Sequence, residues 1–418
     1  MAQKHQLVYR FAESGPRKYE VSIADLGDHK DVKEYVDELQ KRAKAKEAEA
    51  MRKLGDLYAQ GELITQSFKK AVKWYERAVS FDDAVAANNL GVLYVRGDGV
   101  LQDYEKALQM FAKSAEQKNG LGLFNLGTMY AEGLGVNKDY AKAVSLWQQA
   151  AAYEMDMAMF NLGTAYDQGN GVRQNAKEAF RWYLRAAQHH NVQGMFNVGC
   201  CYMDGVGVRK SMKQAVLWYA KAAEMGDAIS MRNLGLACLR GNGLQKNTAM
   251  AVEWLMRAAQ NGDVDSEYLL GRCYLNGVGI PTDPEMAYDW FEHAAYLGNG
   301  DAMYALADMM YEDARSFKER KEVFAWYQRS GKAGNVNGMF NTACCYEQGY
   351  GIRMNKEKAF RWFKKASDAG DGAASHRVGR CYEEGIGVSQ NIAQAMAFYQ
   401  KAIRQGSTEA LARLAKIN

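Results

Sequence analysis

From residue 48 onward the chain repeats itself every 36 residues with nothing inserted or lost. The segment 161–187, NLGTAYDQGNGVRQNAKEAFRWYLRAA, meets a copy of itself when slid by 36 in either direction. One column reads Leu54, Leu90, Leu126, Leu162, Val198, Leu234, Leu270, Leu306, Thr342, Val378 and Leu414. The next reads Gly55, Gly91, Gly127, Gly163, Gly199, Gly235, Gly271, Ala307, Ala343, Gly379 and Ala415. A period between about 20 and 50 residues marks a stacked array, in which each unit has an apolar face that only its neighbours can bury.

Composition agrees with such an array. Three prolines in 418 residues favour helix throughout, and the 40 glycines fall in fixed columns, where they serve turns and close contacts. The formal net charge is +4 over 53 basic and 49 acidic residues, which gives no electrostatic case for binding nucleic acid or an acidic membrane surface. No run of about 18 apolar residues occurs, so no membrane insertion is expected. The N-terminal stretch lacks the apolar core of a secretory signal, and Glu13 and Glu20 argue against a mitochondrial transit peptide. A cytoplasmic protein is expected, with signal-less secretion left open. Nothing in the sequence sets an oligomeric state.

Residues 1–47 stand outside the repeats. Leu7, Tyr9 and Phe11, then Tyr19, Val21 and Ile23, alternate with polar residues around Ser14-Gly15-Pro16, the pattern of a β-hairpin. Val32, Tyr35, Val36 and Leu39 form one helical stripe, so residues 28–47 read as a capping helix. Ten repeats occupy 48–407, and 408–418 is a short capping remnant. Each repeat splits into two helices. The first ends near a tyrosine column (Tyr58, Tyr94, Tyr130, Tyr166) at a G-x-G turn such as Gly169/Gly171, because a sharply turning helix end needs positive φ. The second carries an alanine column and, one turn on, an aromatic pair such as Trp182-Tyr183. Asp83, Asn119, Asn191, Asp227, Asp263, Asn299, Asn335, Asp371 and Ser407 recur just before new first helices, where N-caps belong. Glycine inside a helix costs about 1 kcal/mol relative to alanine. Its recurrence therefore predicts a close helix–helix contact, with the aromatics filling the remaining space.

L-G-x-x-Y, then G-x-G-V, K-A or E-A, W-Y and A-A at this period resemble the Sel-one-like repeat, a relative of the tetratricopeptide repeat. The resemblance spans residues 48–418. It implies an all-α fold, a right-handed α-solenoid superhelix of antiparallel helix pairs used as a protein-binding scaffold, and it names no partner. By the tetratricopeptide analogy the first helices line a concave surface. The column before the anchor leucine holds Asn89, Asn125, Asn161, Asn197, Asn233 and Asn341. The column before that holds Phe124, Phe160, Phe196, Tyr268, Tyr304 and Phe340, flanked by Arg52, Arg232 and His376. Asparagine offers both donor and acceptor, so this row could hold the main chain of an extended peptide while the aromatics take its side chains. The alternative is that the asparagines bond neighbouring helices and the aromatics are inter-helix core.

The repeat at 300–335 departs from the pattern: Ala307 replaces the anchor glycine, and Asp313-Ala314-Arg315 replaces the G-x-G turn. Two readings stand, drift at conserved length, and a hinge or partner-specific edge. Secreted members of the family carry disulfides between the two helices of a repeat. Here Cys200, Cys201, Cys238, Cys273, Cys344, Cys345 and Cys381 all fall on first helices, and equivalent positions about 9–10 Å apart are too far for a bridge. Reduced thiols and a reducing compartment are expected. Some family members are described as β-lactamase-like, which makes a weak hydrolase the alternative function, along with an effector delivered to another cell. The only support is the lone S-x-x-K of Ser67-Phe68-Lys69-Lys70, without K-T-G or S-D-N. His189-His190 has no ligand-spaced partner, and the G-x-G turns follow helices rather than strands. A non-catalytic scaffold without metal or cofactor, binding a protein or peptide partner, is the expectation.

Overall fold

The computed structural model describes residues 29–417. The hairpin expected in residues 1–27 lies outside the described residues. Among those described, every regular element is helical, with 22 helices from His29–Lys44 to Glu409–Ile417 and no strand. The chain divides into two compact units, residues 1–221 and 222–418. Within each unit the helices come in pairs at the repeat period, for example Asp156–Gln168 with Ala176–Gln188, and Val264–Asn276 with Pro284–Tyr296. No described helix is long and apolar enough to cross a membrane.

Local chemistry sets the helix ends. The eight Asp and Asn N-caps of the first helices each accept from a backbone N–H of the first turn; Asn119 Oδ1 takes the Gly122 amide at 2.9 Å. At the far end Gly169 turns to φ 76° and its N–H returns to the Ala165 carbonyl, releasing the chain into the turn. The second turn glycine has a different task. A Cβ on Gly171 would lie 2.4 Å from the backbone of Tyr140, at the start of the preceding second helix, so the turn lies directly on that helix.

The anchor glycines face the second helix of their own repeat. A Cβ at Gly55 would stand 2.5 Å from the Tyr75 ring, at Gly163 2.5 Å from Tyr183, and at Gly271 2.6 Å from Phe291. Leu54, Leu162 and Leu270 beside them are fully buried, each contributing about 1.5–3 kcal/mol by leaving water.

Repeat 300–335 redistributes its turn. Its first helix runs Gly300–Asp313 and its second Phe317–Lys332, 16 residues against 13 in the next repeat's Lys356–Asp368. Only residues 314–316 connect them. A capping box starts the longer helix: Ser316 Oγ accepts from the Glu319 amide at 3.2 Å and Glu319 returns a carboxylate oxygen to the Ser316 amide at 2.9 Å. Residues that form a loop elsewhere have coiled into an extra turn of helix, so no positive φ is needed here.

Candidate partner-binding face

First helices of successive repeats also touch one another, as Ala84–Arg96 does Gly120–Glu132 in unit 1 and Gly300–Asp313 does Val336–Gln348 in unit 2. Pairs of second helices do not approach as closely among the described residues. The candidate columns lie on these first helices.

The row divides by burial. Asn89, Asn125, Asn161, Phe124 and Phe160 are buried, while Arg52, Phe196, Asn197, Arg232, Asn233, Tyr268, Tyr304, Phe340 and Asn341 are half-buried. At the start of unit 1 the polar members bond to neighbouring helices. Asn89 Nδ2 donates to Asp56 Oδ1 at 3.1 Å, Asn88 Nδ2 to Asn89 Oδ1 at 3.3 Å, and Asn125 Nδ2 to Asn88 Oδ1 at 2.8 Å. Asp56 also accepts from the Tyr75 hydroxyl at 2.7 Å and pairs with Arg52 at 3.1 Å, and Arg52 reaches Asp83, the N-cap of the next first helix, at 3.4 Å. Burial pushes the Asp56 carboxyl above its ordinary range, against the pull of Tyr75, Arg52 and Asn89. Asn161 has a buried Nδ2 with no partner among the described residues.

Further along, the half-buried aromatics rest on the second helix of their own repeat. Ring centroids are 6.0 Å apart for Phe196–Tyr219, 5.9 Å for Tyr268–Phe291, 6.0 Å for Tyr304–Tyr327 and 5.4 Å for Phe340–Phe363. Arg232 bridges to Asp263, the N-cap of the next first helix, at 2.7 Å and to Asp265 on the next repeat at 2.6 Å. The Tyr304 hydroxyl is pushed up by burial and by Asp308, with Asn341 pulling the other way. The amides of Asn197 and Asn233 form no hydrogen bond among the described residues.

Two recurring devices, one between repeats and one within a helix, escaped the sequence reading. The N-cap asparagine of one first helix donates to an acid at the start of the preceding one: Asn191 to Asp156 at 2.8 Å, Asn299 to Asp265 at 2.9 Å, Asn335 to Asp301 at 2.6 Å. Their signal is an Asn with an Asp 34 or 35 residues earlier. On the second helices a basic residue three places after a tryptophan covers its ring: Arg185 over Trp182 at 4.7 Å, Arg257 over Trp254 at 4.9 Å, Arg329 over Trp326 at 4.7 Å. The spacing W-x-x-[RK] would have revealed it.

The remaining chemistry is sparse. All seven cysteines are free; Cys238, Cys273, Cys345 and Cys381 are buried, and Cys200, Cys201 and Cys344 half-buried. Burial pushes the thiols of Cys201 and Cys345 up to about 12 and that of Cys381 to about 11, which suppresses the thiolate. The Lys70 ammonium lies 4.9 Å from the Tyr58 ring centroid rather than turning to Ser67. His189 and His190 are exposed in a turn, and among the described residues no group of three metal-capable side chains converges.

A Sel1 repeat family model matches ten successive segments from 48–80 to 372–407. No curated protein matches the chain. The crystal structure of a protective antigen of uropathogenic Escherichia coli displaying an SLR fold is 26% identical, with a TM-score of 0.69, over 91% of this chain and 93% of that one. A Sel1 repeat protein from Oxalobacter formigenes is 30% identical, with a TM-score of 0.53, over 59% of this chain and 99% of that one. With ten matched repeats and paired helices at the same period, the chain belongs to the Sel1 repeat family.

Proposed function

We propose that the chain is a non-catalytic scaffold that holds a protein or peptide partner along the inner face of its first helices. The observation that carries this reading is that half-buried aromatic and amide side chains recur at the repeat spacing on first helices: Asn233, Tyr268, Tyr304, Phe340 and Asn341 in unit 2, and Phe196 with Asn197 in unit 1. Half-buried aromatic rings already fixed by packing bind apolar side chains at low entropic cost. The unpaired amides of Asn197 and Asn233 can exchange hydrogen bonds with an extended main chain. The buried members, Asn89, Asn125, Asn161, Phe124 and Phe160, are assigned to packing, since a ligand cannot reach them. Arg52 and Arg232 join adjacent repeats first and meet a ligand only at their exposed edges.

Affinity capture from the native source with wild type and Asn197→Ala/Asn233→Ala tests the reading. Recovery of the main partner should drop at least about tenfold, the equivalent of about 1.4 kcal/mol, with the melting temperature unchanged. Equal recovery, or a parallel loss of stability, would contradict it.

A further inference from the structure

In unit 2 the regular turns cover the start of the second helix in the preceding repeat. A Cβ at Gly279 would lie 2.2 Å from the Thr248 carbonyl oxygen, at Gly351 2.0 Å from that of Arg320, and at Gly387 2.2 Å from that of Lys356. By the same period Arg315 should cover Pro284. Here residues 317–319 have coiled into the extra helical turn, the connection is only 314–316, and Arg315 is not among the residues that line the space beside Pro284. The start of helix Pro284–Tyr296 is left open, and a cavity of about 700 Å³ occupies the place of the missing turn. This cavity is separate from the inner row.

The cavity has an apolar floor of Tyr288, Met309, Met310 and Val323, and a rim with Glu285, Asp289 and Asp313. These three carboxylates are exposed and meet no cation within ion-pair distance among the described residues. Glu319, also at the rim, is engaged by the amides of Arg315 and Ser316. None of the basic residues of the stretch lines the cavity; Arg320 lies over the Tyr350 ring at 5.5 Å. The Tyr288 hydroxyl is pushed up by burial and then by Glu292, Glu322 and Asp289, in keeping with a negative local field. The open helix start offers no competing anion site, since Pro284 has no N–H and Asp283 already takes the Met286 amide.

We propose that this cavity docks a short linear segment of a protein partner in which a lysine or arginine adjoins a leucine-, isoleucine- or methionine-type side chain. The apolar side chain rests on the methionine floor, which adapts to varied shapes, and the cation sits among Glu285, Asp289 and Asp313. The volume suits two or three side chains. It is too small for a folded domain.

A random dodecapeptide library displayed on phage, panned on the full chain, tests this. Affinities of the enriched peptides are then measured by fluorescence anisotropy. Two variants serve as comparison: Glu285→Gln/Asp289→Asn/Asp313→Asn, which alters only exposed groups, and a graft replacing residues 313–319 with the Gly-Tyr-Gly-Ile-Arg-Met-Asn of 349–355, which restores the turn. Enriched peptides should share a basic residue next to an apolar one and bind the triple variant at least about tenfold more weakly. The graft should abolish binding. The proposal is overturned if nothing enriches above a blank support, if the enriched peptides lack a basic residue, or if affinity is the same on the triple variant.

Discussion

The ring of Tyr183 occupies the space that a side chain on Gly163 would need: a Cβ there would stand 2.5 Å from Cδ1 and 2.6 Å from Cε1. Gly163→Ala would raise helix propensity by about 1 kcal/mol but force a buried ring to move, at about 1–3 kcal/mol. The buried ring should decide the sign. Thermal unfolding is expected to show a net loss of about 1 kcal/mol, and a rise in melting temperature would mean that the ring yields freely.

The residue just before the first-helix N-cap adopts positive φ in both units, with different residues. Unit 1 uses Asp82 at 60°, Lys118 at 60°, Glu154 at 61° and His190 at 64°, whereas unit 2 uses Gly226, Gly262, Gly298, Gly334, Gly370 and Gly406. A left-handed non-glycine residue costs roughly 1–2 kcal/mol, partly offset because glycine is freer when unfolded. Lys118→Gly and Glu154→Gly should each stabilise by up to about 1 kcal/mol in denaturant titrations. Gly262→Ala should destabilise by a similar amount; it meets no neighbour within 4 Å, so only the backbone is strained.

Second helices are capped as systematically as first ones. Asn175 Oδ1 accepts from the amides of Lys177 at 3.1 Å and Glu178 at 3.2 Å, and Asp103, Asp139, Asn247, Asp283, Asn355 and Asn391 cap likewise. Asn175→Ala should cost about 1 kcal/mol, while Asn175→Asp should be nearly silent. Chemical denaturation of the two variants side by side separates them.

His376 stands where other repeats place phenylalanine or tyrosine. It is 9% exposed, its ring lies 5.7 Å from that of Tyr399, and its Nε2 is buried without a partner. Burial lowers its pKa, aided by Arg380, Arg377 and Arg413 and opposed by Glu409. The unfolded imidazole then takes up a proton more readily, so stability is full above the ordinary histidine range near 6.5 and falls as pH drops below it. Melting curves at successive pH values should show that decline, and His376→Phe should flatten it.

The seven thiols should resist a thiol reagent at neutral pH in the native protein and react in full once denatured. Half-buried Cys200, Cys201 and Cys344 should lead during slow local opening. Fast modification of the buried Cys345 or Cys381 without unfolding would contradict the packing described.

The sequence was most legible where a residue acts through its own backbone or its column. Gly169, Asn119 and the Gly163–Tyr183 pair repeat a local solution at a fixed spacing, so their tasks could be named in advance. Second-helix caps such as Asn175 repeat just as regularly and were open to the same reading. The asparagine column was not legible as a site, because its members share a position but differ in neighbours. Asn89 meets Asp56, a position that holds Thr164 and Cys200 in other repeats, whereas Asn197 has no such acid. At 313–315 the loss of glycine was visible. That the following residues would coil into helix and uncover Pro284 depends on the Ser316–Glu319 capping box and the fit of two repeats.

Hydrogen exchange of the full chain, free and saturated with the partner recovered by affinity capture, bears most directly on the inner-face scaffold. Added protection is predicted in the first helices Val192–Asp204, Val264–Asn276, Gly300–Asp313 and Val336–Gln348, with little change in the second helices behind them. Protection confined to second helices, or none along the row of Phe196, Tyr268, Tyr304 and Phe340, would contradict it.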